Sequence, residues 1–115
     1  MTATARTRLA ALLATGALVT SSAAFAQDAA LIKKGEGIYT AQKCSTCHYD
    51  TSDAKKIGPG LKGLNKRGTF TVNNNKVTDD NLKTWIENGD SLMPPFKDVI
   101  DDNQIKDVIA YVKTL

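Results

Sequence analysis

Cysteine and histidine are scarce in this chain of 115 residues, which holds two of the first and one of the second. Together they fall short of the four Cys or His ligands that a structural zinc site takes. The single His also means that a metal bound by it finds no second imidazole in the same chain. Aromatic residues make up 6% of the chain, thin material for a core built from side chains alone. No repeat or long low-complexity segment occurs, and there is no twin-arginine pair. The apolar run before Thr20-Ser21-Ser22 is short for a helix that spans a bilayer.

The scarce residues stand together as Cys44-Ser45-Thr46-Cys47-His48. This is C-x-x-C-H, the spacing of c-type haem attachment. On a helical turn, residues three or four apart share a face. Two thiols so placed can form thioethers with the two vinyl groups of one porphyrin, while the imidazole reaches its iron. A thioredoxin-like redox pair is the other reading of C-x-x-C, but it needs a βαβ setting that the pattern does not offer. Half of a zinc site is a third, and it lacks ligands.

The N-terminus reads as a secretory signal. Arg6 and Arg8 give a positive start, Leu9 to Val19 an uncharged apolar run, and Ala24-Phe25-Ala26 a small-x-small cleavage pattern. The expected domains are therefore a cleaved signal peptide, 1–26, and one mature domain, 27–115. An uncleaved membrane anchor is the alternative. The 89 residues that remain bury little surface by themselves, and a domain of that size commonly needs a staple. A covalently held porphyrin is one. Of the formal charge of +3, Arg6 and Arg8 supply two, which leaves the mature part with 13 basic and 12 acidic residues. That balance argues against a nucleic-acid binder. Residues 27–77 hold nine Lys/Arg against four Asp/Glu, and residues 78–115 four against eight, so the charge is divided along the chain.

The spacing of Leu31, Ile32, Gly35, Ile38 and Tyr39 predicts a helix from about Asp28 to the haem motif. Gly35 falls on its apolar stripe, where a second helix can come close; a flexible spot is the blander reading. Residues 49–68, with Gly58-Pro59-Gly60, read as loop. Thr69 to Val77 reads as a short hairpin around Asn73-Asn74-Asn75. Thr78 is an N-cap ahead of Asp79 and Asp80, Leu82, Trp85 and Ile86 form an apolar face, and Gly89 stops the helix. Asp101 or Asp102 opens the last helix, with Gln104 as capping-box partner. Ile105, Val108, Ile109, Val112 and Leu115 form its buried face, with Tyr111 near the edge. Three main helices and long loops define an all-α chain.

An iron held by His48 keeps one axial position for another His, a Met, a Lys or no protein ligand. No second His exists. Met1 leaves with the signal, so Met93 is the one thioether of the mature chain. Pro94 and Pro95 stiffen the backbone around it, as a weak ligand requires. A Met that only fills core space is the alternative.

Gly35 with Tyr39, Cys44-Ser45-Thr46-Cys47-His48, Gly58-Pro59-Gly60-Leu61, Met93-Pro94-Pro95-Phe96 and Val108-Ile109-Ala110-Tyr111-Val112 follow one another in an order that resembles class I cytochrome c. The short bacterial monohaem members are the nearer likeness. The resemblance covers nearly all of 27–115 and implies that fold, wrapped around one haem c bound through Cys44 and Cys47. It implies His48 and Met93 as axial ligands and the Pro59 carbonyl as acceptor from the His48 ring. Leu61 and Leu64 would pack on the porphyrin, Arg67 would approach a propionate, and Trp85 would stand near Met93. Gly35 and Tyr39 would cross the Val108–Tyr111 segment. The 69–77 segment departs from better-known members.

The function so implied is that of a soluble, monomeric, periplasmic one-electron carrier rather than an enzyme, shuttling electrons between a donor and an acceptor protein. No membrane span is expected in the mature chain. Lys43, Lys55, Lys56, Lys62, Lys66 and Arg67 would border the haem, where positive charge steers acidic docking surfaces; an ordinary solvated face is the alternative. Two other functions compete. One is a tightly bound haem subunit of a periplasmic oxidoreductase. The other is a ligand-binding haem protein with an open iron position.

Overall fold

Helices α1 (Ser21–Ala41) and α4 (Asp102–Val112) cross at Gly35, and this crossing frames the rest of the chain. A Cβ on Gly35 would overlap the carbonyl of Asp107 and come within 2.9 Å of the Tyr111 Cβ, so only glycine lets the two backbones approach this closely. One turn further on, the rings of Tyr39 and Tyr111 meet edge to face, with centroids 5.3 Å apart. Tyr111 is thus core, not the edge residue that its place on the helix suggested.

The computed structural model describes residues 21–115. The basic start and the apolar run of the expected signal lie outside the described residues. Helix α1 begins seven residues ahead of the expected Asp28. Ala23, Ala24 and Ala26, residues of the highest helix propensity, favour the extra turns.

After a long connection that carries the haem motif come helix α2 (Leu64–Arg67), α3 (Asp79–Asn88) and α4. Helix α2 corrects the expectation of continuous loop over 49–68. It is a single turn between Gly63 and Gly68, both left-handed, and one turn has no periodicity from which to be read. The expected hairpin over 69–77 reduces to one antiparallel bridge between Thr69 and Lys76. Phe70 N–H bonds to the Asn75 carbonyl, and Asn74 takes a left-handed φ of 60°. The turn closes at once, leaving no length for a ladder. No strand occurs among the described residues.

Caps fix the ends of α3 and α4. The Thr78 hydroxyl accepts from Asn81 N–H at 3.1 Å, and Gly89 ends α3 at φ 58°. Asp101 and Gln104 form a complete capping box, each side chain accepting from the other's backbone N–H at 2.8 and 2.9 Å. Lys83 joins α3 to α4 by reaching Asp102 at 3.4 Å, and Lys113 reaches back to Asp79 at 2.6 Å.

Two apolar groups form the core. Leu64, Phe70, Leu82, Ile100, Ile105 and Ile109 make the larger, with Trp85 and Phe96 against it. Tyr39, Tyr111 and Val112 make the smaller, and Leu61 touches both. The fold is all-α, with long loops carrying the chemically distinctive residues.

Candidate haem site

Lys43, at φ 59°, breaks the chain out of α1 and into a tight 3₁₀ turn at Cys44–Thr46. The Cys44 carbonyl accepts from Cys47 N–H at 3.1 Å and from His48 N–H at 3.0 Å. This turn holds the two thiols and the imidazole on one short stretch of rigid backbone. Burial pushes the Cys44 thiol above the usual thiol range.

A second segment runs back along the turn. Gly58 N–H donates to the Cys47 carbonyl at 2.8 Å and Leu61 N–H to the Tyr49 carbonyl at 2.7 Å. The Pro59 carbonyl oxygen thereby comes to 2.7 Å from His48 Nδ1. A carbonyl can only accept, so Nδ1 carries the hydrogen, and in the neutral ring Nε2 then keeps its lone pair. That is the tautomer a metal needs. Gly58 is required beside the ring, because a Cβ there would stand 2.9 Å from Nδ1 and 3.1 Å from Nε2.

The remaining residues named from the sequence take the following places. Leu64 is buried at 4% exposure in the larger apolar group, with Leu61 half-buried beside it. Trp85 is half-buried and meets Phe70 edge to face at 6.2 Å. Met93 is half-buried in a turn that closes onto Asp90, whose N–H donates to the Met93 carbonyl at 2.9 Å. Arg67 turns inward. Its Nη1 and Nη2 donate to the carbonyls of Lys62 at 2.9 Å and Gly60 at 3.1 Å, while Nε is buried without a partner. Arg67 therefore leaves the set of basic residues expected on the surface. Lys43, Lys55, Lys56, Lys62 and Lys66 are exposed.

Sequence reasoning missed several contacts. Lys56 Nζ donates to the Ser45 carbonyl at 2.8 Å and lies 5.0 Å over the Tyr49 ring, tying the loop to the haem motif. The Tyr39 hydroxyl donates to the His48 carbonyl at 3.2 Å. Phe70, buried at 8%, was hidden among polar neighbours. The nine-residue separation of Tyr39 from His48 carries no periodic signal that would have paired them.

These residues fit haem c. The donor set is two thiols and an imidazole in attachment spacing, the ring is held in its metal-binding tautomer, and Arg67 Nε is a buried donor that no protein group satisfies. Cavities of about 370 Å³ beside Lys34 and Gln104, and of about 250 Å³ between Phe70 and Asn88, are not lined by Cys44, Cys47, His48 or Met93.

The fold and this motif define a class I c-type cytochrome. Residues 30–112 match the family model described as "Cytochrome C oxidase, cbb3-type, subunit III". Cytochrome c6 of Bryopsis maxima is 31% identical over 78 residues, which span 68% of this chain and 84% of that protein. No solved structure matches. The chain belongs to the c-type cytochrome family, and with it to electron-transfer proteins that bind haem c covalently, here through Cys44 and Cys47.

Proposed function

We propose that residues 27–115 act as a soluble periplasmic one-electron carrier after removal of a signal peptide, 1–26, with His48 and Met93 as the two axial ligands. The observation that carries this reading is the 2.7 Å contact between His48 Nδ1 and the Pro59 carbonyl, which presents a lone pair at Nε2. Bound haem supplies an iron that alternates between Fe(III) and Fe(II). The chain does the rest. Cys44 and Cys47 would hold the group in place, and His48 and Met93 would ligate its iron and keep oxygen and substrates from it. Arg67 Nε, buried without a protein partner, would offer a positive donor to a propionate. Pairing His with Met raises the potential relative to harder ligands, so the midpoint is positive. Exposed Lys43, Lys55, Lys56, Lys62 and Lys66 steer acidic docking surfaces of donor and acceptor proteins.

Absorption spectra of the reduced protein with added carbon monoxide test the closed shell. No uptake is expected in the wild type and clear uptake in Met93→Ala. Ready uptake by the folded wild type would leave an open-site haem protein instead. Partner turnover should slow as ionic strength rises, and a flat response removes the steering.

The description of the matching family as an oxidase subunit favours a second reading, a haem subunit bound in a periplasmic oxidoreductase. Among the described residues, no helix is long and apolar enough to cross a membrane. Co-purification with other subunits at native expression separates the two.

A further inference from the structure

We infer that Asp90 is a positioning residue for Met93, and that its carboxylate, more than the two prolines, sets where the Met93 backbone sits. The inference rests on the reading of Met93 as an axial ligand. Asp90 Oδ1 accepts from Leu92 N–H at 3.0 Å and from Met93 N–H at 3.3 Å. In return, Asp90 N–H donates to the Met93 carbonyl at 2.9 Å. Met93 is thus held at both its N–H and its C=O by a single residue.

The clamp is anchored to α3. Gly89 N–H donates to the Trp85 carbonyl at 2.8 Å, and the Gly89 φ of 58° turns Asp90 away from the helix axis. A Cβ at Gly89 would overlap the Met93 carbonyl, so the turn lies directly on the helix end. Beyond the ligand, Phe96 N–H bonds to the Ile86 carbonyl at 3.0 Å and Lys97 N–H to the Glu87 carbonyl at 3.3 Å. The loop is pinned to α3 on both sides of Met93. Pro94 and Pro95 are exposed and have no N–H to donate, so they restrict the chain without anchoring it. A thioether is a weak ligand, and its competition with added ligands measures how firmly the loop is held.

The test uses the mature haem-loaded protein with Asp90→Ala, Asp90→Asn and Asp101→Ala, the last a capping-box variant whose side chain bonds to Gln104 and not to the Met93 turn. Ferric protein is titrated with imidazole while the weak sulfur-to-iron charge-transfer band is followed. Asp90→Ala should raise the apparent imidazole affinity about tenfold, the change that loss of one or two backbone hydrogen bonds brings. Asp90→Asn keeps the accepting oxygen and should stay within about twofold of wild type. Asp101→Ala should lower the melting temperature and leave the imidazole affinity unchanged. Backbone amide exchange at Leu92 and Met93 should quicken in Asp90→Ala alone. If the band is absent from wild type, the ligand reading fails. If the band is present but Asp90→Ala binds imidazole as wild type does, or exchange at Leu92 and Met93 is unaltered, the positioning role is overturned.

Discussion

Tyr39, on the buried face of helix α1, donates its hydroxyl proton to the main-chain carbonyl of His48 at 3.2 Å. The two lie nine residues apart, and the bond joins the α1–α4 crossing directly to the haem motif. The same ring packs edge to face on Tyr111. Helix packing and ligand position are therefore coupled through one side chain. Tyr39→Phe keeps the ring and removes the bond, at a cost of about 1 kcal/mol. For a domain of this size that is a fall in melting temperature of roughly 4–8 °C. Tyr39→Ala removes the packing too and should cost about 3–5 kcal/mol. Thermal unfolding of the mature haem-loaded protein, followed by circular dichroism, checks both. Equal losses in the two variants would mean that the ring contributes nothing.

Alkali should destabilise the fold through the same residue. Burial, and then the negative charge of Asp50 and of Tyr111 when ionised, push the Tyr39 hydroxyl above the ordinary tyrosine range of about 10. Tyr111 moves the same way, chiefly by burial. A folded-state pKa above the unfolded one means that the native state holds its proton longer. The contribution is complete below about pH 10 and declines as pH climbs toward the folded value. Urea midpoints measured from pH 8 to 11 should fall above pH 10, and less steeply in Tyr39→Phe. Identical slopes would place the alkaline transition elsewhere.

What could be read from the sequence was whatever has a local cause. Thr78, Gly89 and the pairing of Asp101 with Gln104 are short-range hydrogen-bond or φ requirements, and they mark the ends of α3 and α4 where expected. Gly35 was legible because an apolar stripe needs a reason to contain a glycine. Helix α2 and the 69–77 turn were not, since one helical turn and one bridge leave no repeating pattern. The inward turn of Arg67 was invisible for a different reason. Its partners are backbone carbonyls of Gly60 and Lys62, and carbonyls have no residue-type signature. The same holds for Lys56 on Ser45 and Tyr39 on His48.

Two glycines on one helix should respond in opposite directions. Gly35→Ala forces a methyl group into the Asp107 carbonyl, so α1 and α4 must separate. Overpacking of this kind costs about 1–3 kcal/mol. Gly37 faces open space, and a methyl group there would meet nothing within 4 Å. Gly37→Ala therefore gains the helix propensity difference, about 0.5–1 kcal/mol. Chemical denaturation of both variants gives the comparison. A Gly35→Ala protein as stable as wild type would contradict the close crossing.

Gly58→Ala should act on the ligand while leaving the helices intact. The added methyl would stand 2.9 Å from His48 Nδ1, too close for the ring to keep its place beside the Pro59 carbonyl. That carbonyl, by accepting from Nδ1, makes Nε2 more basic, and a more basic ligand favours ferric iron. Weakening the contact should therefore raise the midpoint potential. Far-UV circular dichroism should stay at wild-type values, because α1, α3 and α4 make no use of Gly58. Redox titration of Gly58→Ala against wild type decides the matter. A potential that stays put or falls, with helix content preserved, would show that the His48–Pro59 contact does not tune the iron.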